Sequence, residues 1–246
     1  MLVNYLMHLK NFVVYLAVLV ISTSWMACRV ANQEKTGSQA ATRFETWKRQ
    51  DVPSKNLAQW RFLGIGRAFA TIGNQTCLEE AENSEGVMLL SPDSYGKQVI
   101  VRYQFLLLSP AAIVVTLLSA RNKATDGLTI PADYNGAMNF WTGSRENYFF
   151  VFRNAPHGGT PYITRNPGAR VLTSAPEQDG LLTGIYYNVE VGQNLSRIWV
   201  AINGKTVLEA DDSDTIPGGR VALRVRGSAD YKAAVLFKNL VIYSKP

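Results

Sequence analysis

Between Tyr148 and Gly168 the chain reads YFFVFRNAPHGGTPYITRNPG. An aromatic run ending at Phe152 leads into Arg153 and Asn154, a Gly/Pro-rich loop carries His157, and Tyr162, Thr164, Arg165 and Asn166 follow. Side chains of these types hydrogen-bond sugar hydroxyls and pair with carboxylates, and three chemistries are open to them. A polysaccharide lyase abstracts a proton beside a uronate carboxylate, with Tyr or His as base and Arg or Asn stabilising the charge that develops. Here His157 or Tyr162 suits the first role. Arg153 and Arg165 suit the second, because guanidinium pairs with carboxylate through two parallel hydrogen bonds. Hydrolysis of a glycosidic bond requires two carboxylates; no Glu-x-Asp-x-x-Glu cluster occurs, and Glu146 and Asp133 are isolated candidates. Binding without bond cleavage would draw on Asn139, Trp141, Tyr148, Asn154 and Asn166, together with strand aromatics such as Tyr186, Tyr187 and Trp199. On a strand, Asn139, Trp141 and Gly143 share one face. The plainer alternatives are a loop histidine, a turn at Arg-Asn-Pro-Gly, and aromatics that serve the core.

Charge points the same way. The chain carries a formal +6, and residues 97–176 hold Lys97, Arg102, Arg121, Lys123, Arg145, Arg153, Arg165 and Arg170 against Asp126, Asp133 and Glu146 alone. Clustered positive charge concentrates anions, so an acidic ligand is favoured over a neutral one. No nucleic-acid-binding motif is present. His8 falls in the leader described next, which leaves His157 as the one histidine of the expected mature chain and argues against a His-based triad or metal cluster. No cofactor is implied, although Asp211, Asp212 and Asp214 form a hard-oxygen cluster that would suit calcium; a solvated turn has the same composition.

Lys10, the apolar stretch 12–21 and the small and polar residues before Cys28 fit a secretory signal over residues 1–27. The apolar stretch is short for a membrane span, which needs about 20 residues. Cys28 after Ala27 resembles the lipidation site of bacterial lipoproteins, and residues 28–43 read as a polar tether. A folded domain over 44–246 follows, large enough for a single core. Cys77 is expected as a small core residue. These segments predict an exported cell-envelope protein held to the membrane by lipid, with an ordinary signal peptide or an uncleaved anchor as the alternative leader and a structural envelope lipoprotein without a ligand as the alternative role.

The elements that must position the polar cluster are strands. Residues 99–108 and 113–118 are apolar on both faces, as buried central strands are, and Ser109-Pro110 separates them. Residues 136–142 and 148–152 read as further strands. Residues 186–191, 197–202, 206–209, 221–225 and 233–243 complete the set, with Asn203-Gly204 as a two-residue hairpin turn. Val221, Leu223 and Val225 alternate with Ala222, Arg224 and Arg226, the signature of a sheet with one buried face. Many short strands with frequent turns predict an all-β sandwich of two antiparallel sheets.

The ending, from Tyr186-Tyr187-Asn188-Val189-Glu190-Val191 through Ile198-Trp199-Val200-Ala201-Ile202-Asn203-Gly204-Lys205, Asp211-Asp212 and Gly218-Gly219-Arg220-Val221-Ala222-Leu223 to Phe237-Lys238-Asn239-Leu240-Val241-Ile242-Tyr243, resembles that of concanavalin A-like and laminin-G-like jelly-roll sandwiches. With Phe152-Arg153-Asn154 and Arg165-Asn166-Pro167-Gly168 added, the chain is similar to the YesU-like family of bacterial proteins that accompany polysaccharide-degrading enzymes. That resemblance implies glycan breakdown in the cell envelope, with a polysaccharide or oligosaccharide held on the concave sheet.

Overall fold

A computed structural model of the chain describes residues 46–123, 125, 127–153, 159–176, 180–228 and 231–245. The expected signal, Cys28 and the tether lie outside the described residues, and so do Asn154 and His157. No helix among the described residues is long and apolar enough to cross a membrane.

Two antiparallel sheets carry nearly all the regular structure. Along the first sheet the order is β13 (Lys205–Asp211), β12 (Arg197–Ile202), β11 (Tyr186–Asn194), β6 (Gln98–Leu107), β15 (Ala234–Ser244), β4 (Thr76–Glu80) and β3 (Gly66–Ala70). A short strand, β1 (Lys48–Val52), also pairs with β15. Along the second sheet the order is β10 (Arg170–Ser174), β9 (Tyr162–Asn166), β8 (Arg145–Arg153), β7 (Ala112–Asn122), β14 (Gly218–Gly227), β5 (Val87–Gly96) and β2 (Arg61–Gly64). Two short helices, α1 (Ser54–Leu57) and α2 (Asn139–Ser144), complete the described elements. The chain crosses between the sheets repeatedly, among other places from β4 to β5, β5 to β6, β6 to β7, β10 to β11, β13 to β14 and β14 to β15, so the predicted two-sheet antiparallel sandwich is what forms.

The main core lies between the sheets and includes Val101, Phe105, Val114, Leu118, Phe150, Phe152, Leu223 and Phe237. Buried polar groups inside it are paired, as burial demands: the Tyr103 hydroxyl on β6 meets the Thr116 hydroxyl on β7 at 2.6 Å. At the predicted hairpin, Asn203 and Gly204 take φ of 50° and 80°, as a type I′ turn requires.

The strands 99–108 and 113–118 differ from expectation in one respect. Only β7 is buried on both faces, with Val114 and Leu118 in the main core and Val115 and Leu117 in a second apolar cluster. On β6, Arg102, Gln104 and Leu106 are half-buried and alternate with Tyr103, Phe105 and Leu107, so that strand has one face in the core.

A second correction concerns residues 136–142, expected as a strand. Residues 139–144 form α2, with Trp141 N–H and Thr142 N–H both donating to the Met138 carbonyl. The segment lies across the outer face of the second sheet, where Trp141, Ile130, Phe149, Val151, Leu117, Met88 and Leu90 make the second cluster. Gly136 there has φ of 101°, and a Cβ at that position would fall 1.8 Å from the Gly86 carbonyl oxygen. Only glycine lets the two backbones approach so closely.

Candidate functional site

Side chains alternate along a strand, and the parity of β8 and β9 decides which of the expected residues meet. On β8, Tyr148, Phe150 and Phe152 enter the main core, while Phe149 and Val151 join the cluster on the outer face. Arg153 therefore faces outward. On β9, Ile163 lies in the main core and Tyr162 packs on the outer cluster, which places Arg165 on the inner side. Arg153 and Arg165 thus point to opposite faces of one sheet. The expected grip of both on a single carboxylate is overturned by this parity.

Arg165 has its carboxylates already. Its Nε is 2.8 Å from Asp212 Oδ2 and its Nη2 is 2.8 Å from Asp214 Oδ2. Arg170 Nη2 reaches Asp212 Oδ1 at 3.0 Å, and the Tyr148 hydroxyl donates to Asp212 Oδ2 at 2.7 Å. Tyr148 is fully buried, and burial pushes its phenol well above the ordinary value of 10.0, with Asp212 adding to the rise. Both oxygens of Asp212, which is 3% exposed, are consequently occupied by protein donors. Asp211, Asp212 and Asp214, offered above as a calcium alternative, form no metal-holding group among the described residues.

Other expected ligand residues turn out to be structural. Trp141 is fully buried, donates from Nε1 to the Tyr134 hydroxyl at 2.7 Å and packs edge-on against Phe140 at 5.0 Å. It seals the outer face rather than offering a stacking platform, and Tyr148 likewise belongs to the core. Asn166 is fully buried and donates to Asn147 Oδ1 at 2.7 Å, at the end of β9. Residues 167–169 after it form the turn into β10, entered through a cis Asn166–Pro167 bond. Asn139 is exposed at the start of α2. Glu146 lies 3.4 Å from Arg121, and Asp133 is exposed in the covering segment.

What remains on the outer face is a compact group. Ile113 pairs directly with Arg153 on one side and with Arg226 on the other, and Val151 pairs with Tyr162. The Arg153 guanidinium carbon stands 5.4 Å from the Tyr162 ring centroid, within cation–π range. Tyr162, Arg153, Ile113 and Arg226 are all half-buried, and Tyr162 and Ile113 pack against the second cluster. Two residues before Arg226 on β14, Arg224 is fully buried and pins the cover by donating to the Glu85 and Gly136 carbonyls at 2.7 and 2.9 Å. Burial lowers its guanidinium from the ordinary 12.5, and Arg226 nearby adds to the fall.

Arg224, Arg226 and Ile113 were not among the expected site residues. The alternation of β14 already marked both arginines as lying opposite the core face. The pairing of β14 with β7, which brings Arg226 beside Arg153, has no local signal.

No protein-family model matches the chain, and no curated protein matches it by sequence. Solved structures do match. A Bacillus subtilis protein of unknown function with a galectin-like fold is 13% identical over 81% of this chain and 100% of its own, with a TM-score of 0.68. The exoplasmic/lumenal domain of VIP36, in a form bound to Ca2+ and Man3GlcNAc, is 13% identical over 81% of this chain and 90% of its own, TM-score 0.56. The Bacillus subtilis carbohydrate-binding module CBM66 is 15% identical over 75% of this chain and 95% of its own, TM-score 0.50. Likeness at these identities establishes the fold, a concanavalin A-like jelly-roll sandwich.

Proposed function

We propose that this chain recognises an acidic saccharide on the outer face of the second sheet, at Tyr162, Arg153, Ile113 and Arg226. The observation that carries the reading is the Arg153–Tyr162 stack with Arg226 two strands away on the same face. An aromatic ring offers a flat apolar surface to a sugar ring. Two guanidinium groups, on strands roughly 10 Å apart, supply paired hydrogen bonds to carboxylate or sulfate groups. The bound Man3GlcNAc of VIP36 and the name of CBM66 support a saccharide over other anions. The resemblance to the YesU-like family supports a role in polysaccharide breakdown, and the leader with Cys28 supports an exported, lipid-anchored protein. Binding is favoured over hydrolysis, because neither Glu146 nor Asp133 stands in this row and a hydrolase needs two carboxylates.

The test incubates the full chain with polygalacturonate, alginate, chondroitin sulfate and neutral dextran. Arg153→Ala and Arg226→Ala should each weaken binding of one acidic polymer about tenfold, near 1.4 kcal/mol, and added salt should weaken it further. Binding of no acidic polymer, or binding by both variants as strong as that of the unaltered chain, would overturn the reading. Appearance of unsaturated uronate in the same incubation, lost in Tyr162→Phe, would turn the binding site into a lyase site.

A further inference from the structure

We infer a second saccharide site, selective for an uncharged sugar residue, in the cleft between the β1–α1 corner and β5. The cleft has a volume of about 300 Å³ and is lined by Gln50, Asp51, Asn56, Gln59, Trp60 and Pro92 together with Val52. That size lies at the small end of ligand clefts, suited to one sugar ring rather than to a chain.

Trp60 is the decisive residue. It is only 7% exposed and is packed in the main core. Its indole N–H nevertheless donates to no protein group among the described residues, and it is not among the polar atoms sealed from solvent. A buried tryptophan usually finds a partner for that donor; here the donor has none among the described residues and Trp60 lines the cleft. The side chains of Asn56 and Gln59 are exposed and make no hydrogen bond among the described residues. Gln50 is held in place instead, accepting from the Tyr95 hydroxyl at 3.0 Å and donating to Asp93 Oδ2 at 3.4 Å.

Charge selects the ligand class. Arg49 holds both oxygens of Asp51, at 3.0 and 2.6 Å, and keeps that carboxyl below its ordinary value. No cation is among the lining residues, so an anion gains nothing there, and the neutralised Asp51 gives a cation little. What remains is a mixed set of donors and acceptors beside Trp60 and Pro92, which is the complement of a polyhydroxylated ring. Pro92 is five residues along β5 from Val87, the partner of Val225. The cleft therefore stands roughly 17 Å along the strands from the arginine row, and the two sites are separate.

The test follows the indole N–H resonances of the full chain, isotope-labelled at the tryptophan nitrogens, during titration with methyl glycosides of glucose, galactose, mannose, fucose and N-acetylglucosamine. Trp60→Phe assigns the resonance. It should shift saturably with one glycoside and not with glycerol. Asn56→Ala with Gln59→Ala, both on the surface, should weaken that response at least tenfold while the other indole resonances stay in place. Arg226→Ala should leave it unchanged, which separates this site from the acidic one. A resonance unmoved by every glycoside, moved equally by glycerol, or equally responsive in the double variant would overturn the inference.

Discussion

At Asp212 one buried carboxylate accepts from Arg170 and Tyr148 and pairs ionically with Arg165, and the Tyr148 hydroxyl in turn accepts from the Ile216 N–H at 3.1 Å. This network ties β8, β9 and β10 to the segment that returns the chain from β13 to β14. Asp212→Asn keeps the shape but removes the charge, leaving Arg165 Nε without its ion pair. Breaking a buried pair from one side typically costs about 3–5 kcal/mol. We expect about 3 kcal/mol here, because Arg170 is more than half exposed and can rehydrate. The urea midpoint checks this. Affinity for an acidic polymer should change little, because the network faces away from the Arg153–Tyr162 row; a large loss of binding with unchanged stability would place Asp212 in the ligand site instead.

The element that shapes the site is the covering segment, and Trp141 is its anchor. Trp141→Ala would open a void over Phe149, Val151 and Leu117. Large-to-small core changes of this kind cost about 3–5 kcal/mol, measurable as a lowered urea midpoint. The sequence showed part of this architecture. The run 113–118 is apolar on both faces, and the second cluster explains why: β7 is covered by the first sheet on one side and by the α2 segment on the other. The alternation 221–226 placed β14 correctly, with its arginines outward. The helix carries no distinct signal, because Asn139, Trp141 and Gly143 also satisfy a period of two and six residues are too few to distinguish the periods. Parity itself was legible, since Tyr162 and Arg165 are separated by an odd number of residues and cannot share a strand face. The first strands were not legible. β1 and β3 sit at the margin of the first sheet with largely exposed residues, so they lack an apolar pattern, and their pairing with β15 and β4 is fixed only by tertiary contact.

Across the whole molecule, hydroxyl groups of tyrosine stitch the sandwich together. Tyr103 on β6 meets Thr116 on β7, Tyr95 on β5 donates to Gln50 on β1, and Tyr148 on β8 donates to Asp212. The first two of these bonds join one sheet to the other. Burial is the main cause that raises all three phenols above the ordinary 10.0, Tyr95 to about 12, and burial also raises the Cys77 thiol from 9.0 to about 11. The folded chain therefore keeps these protons at pH values where the unfolded chain has released them. Stability from each group is complete below the unfolded value and is lost as pH rises through the folded one. The loss begins near pH 9 with Cys77 and steepens above pH 10, where each fully buried tyrosine contributes about 1.4 kcal/mol per pH unit. Urea midpoints measured from about pH 8 to about pH 11.5 should be level at first and then fall, and Tyr103→Phe should flatten the fall while lowering the starting midpoint. A midpoint that stays level through that range would mean the phenols ionise as freely in the sandwich as in the unfolded chain, and would remove them as the ties between its sheets.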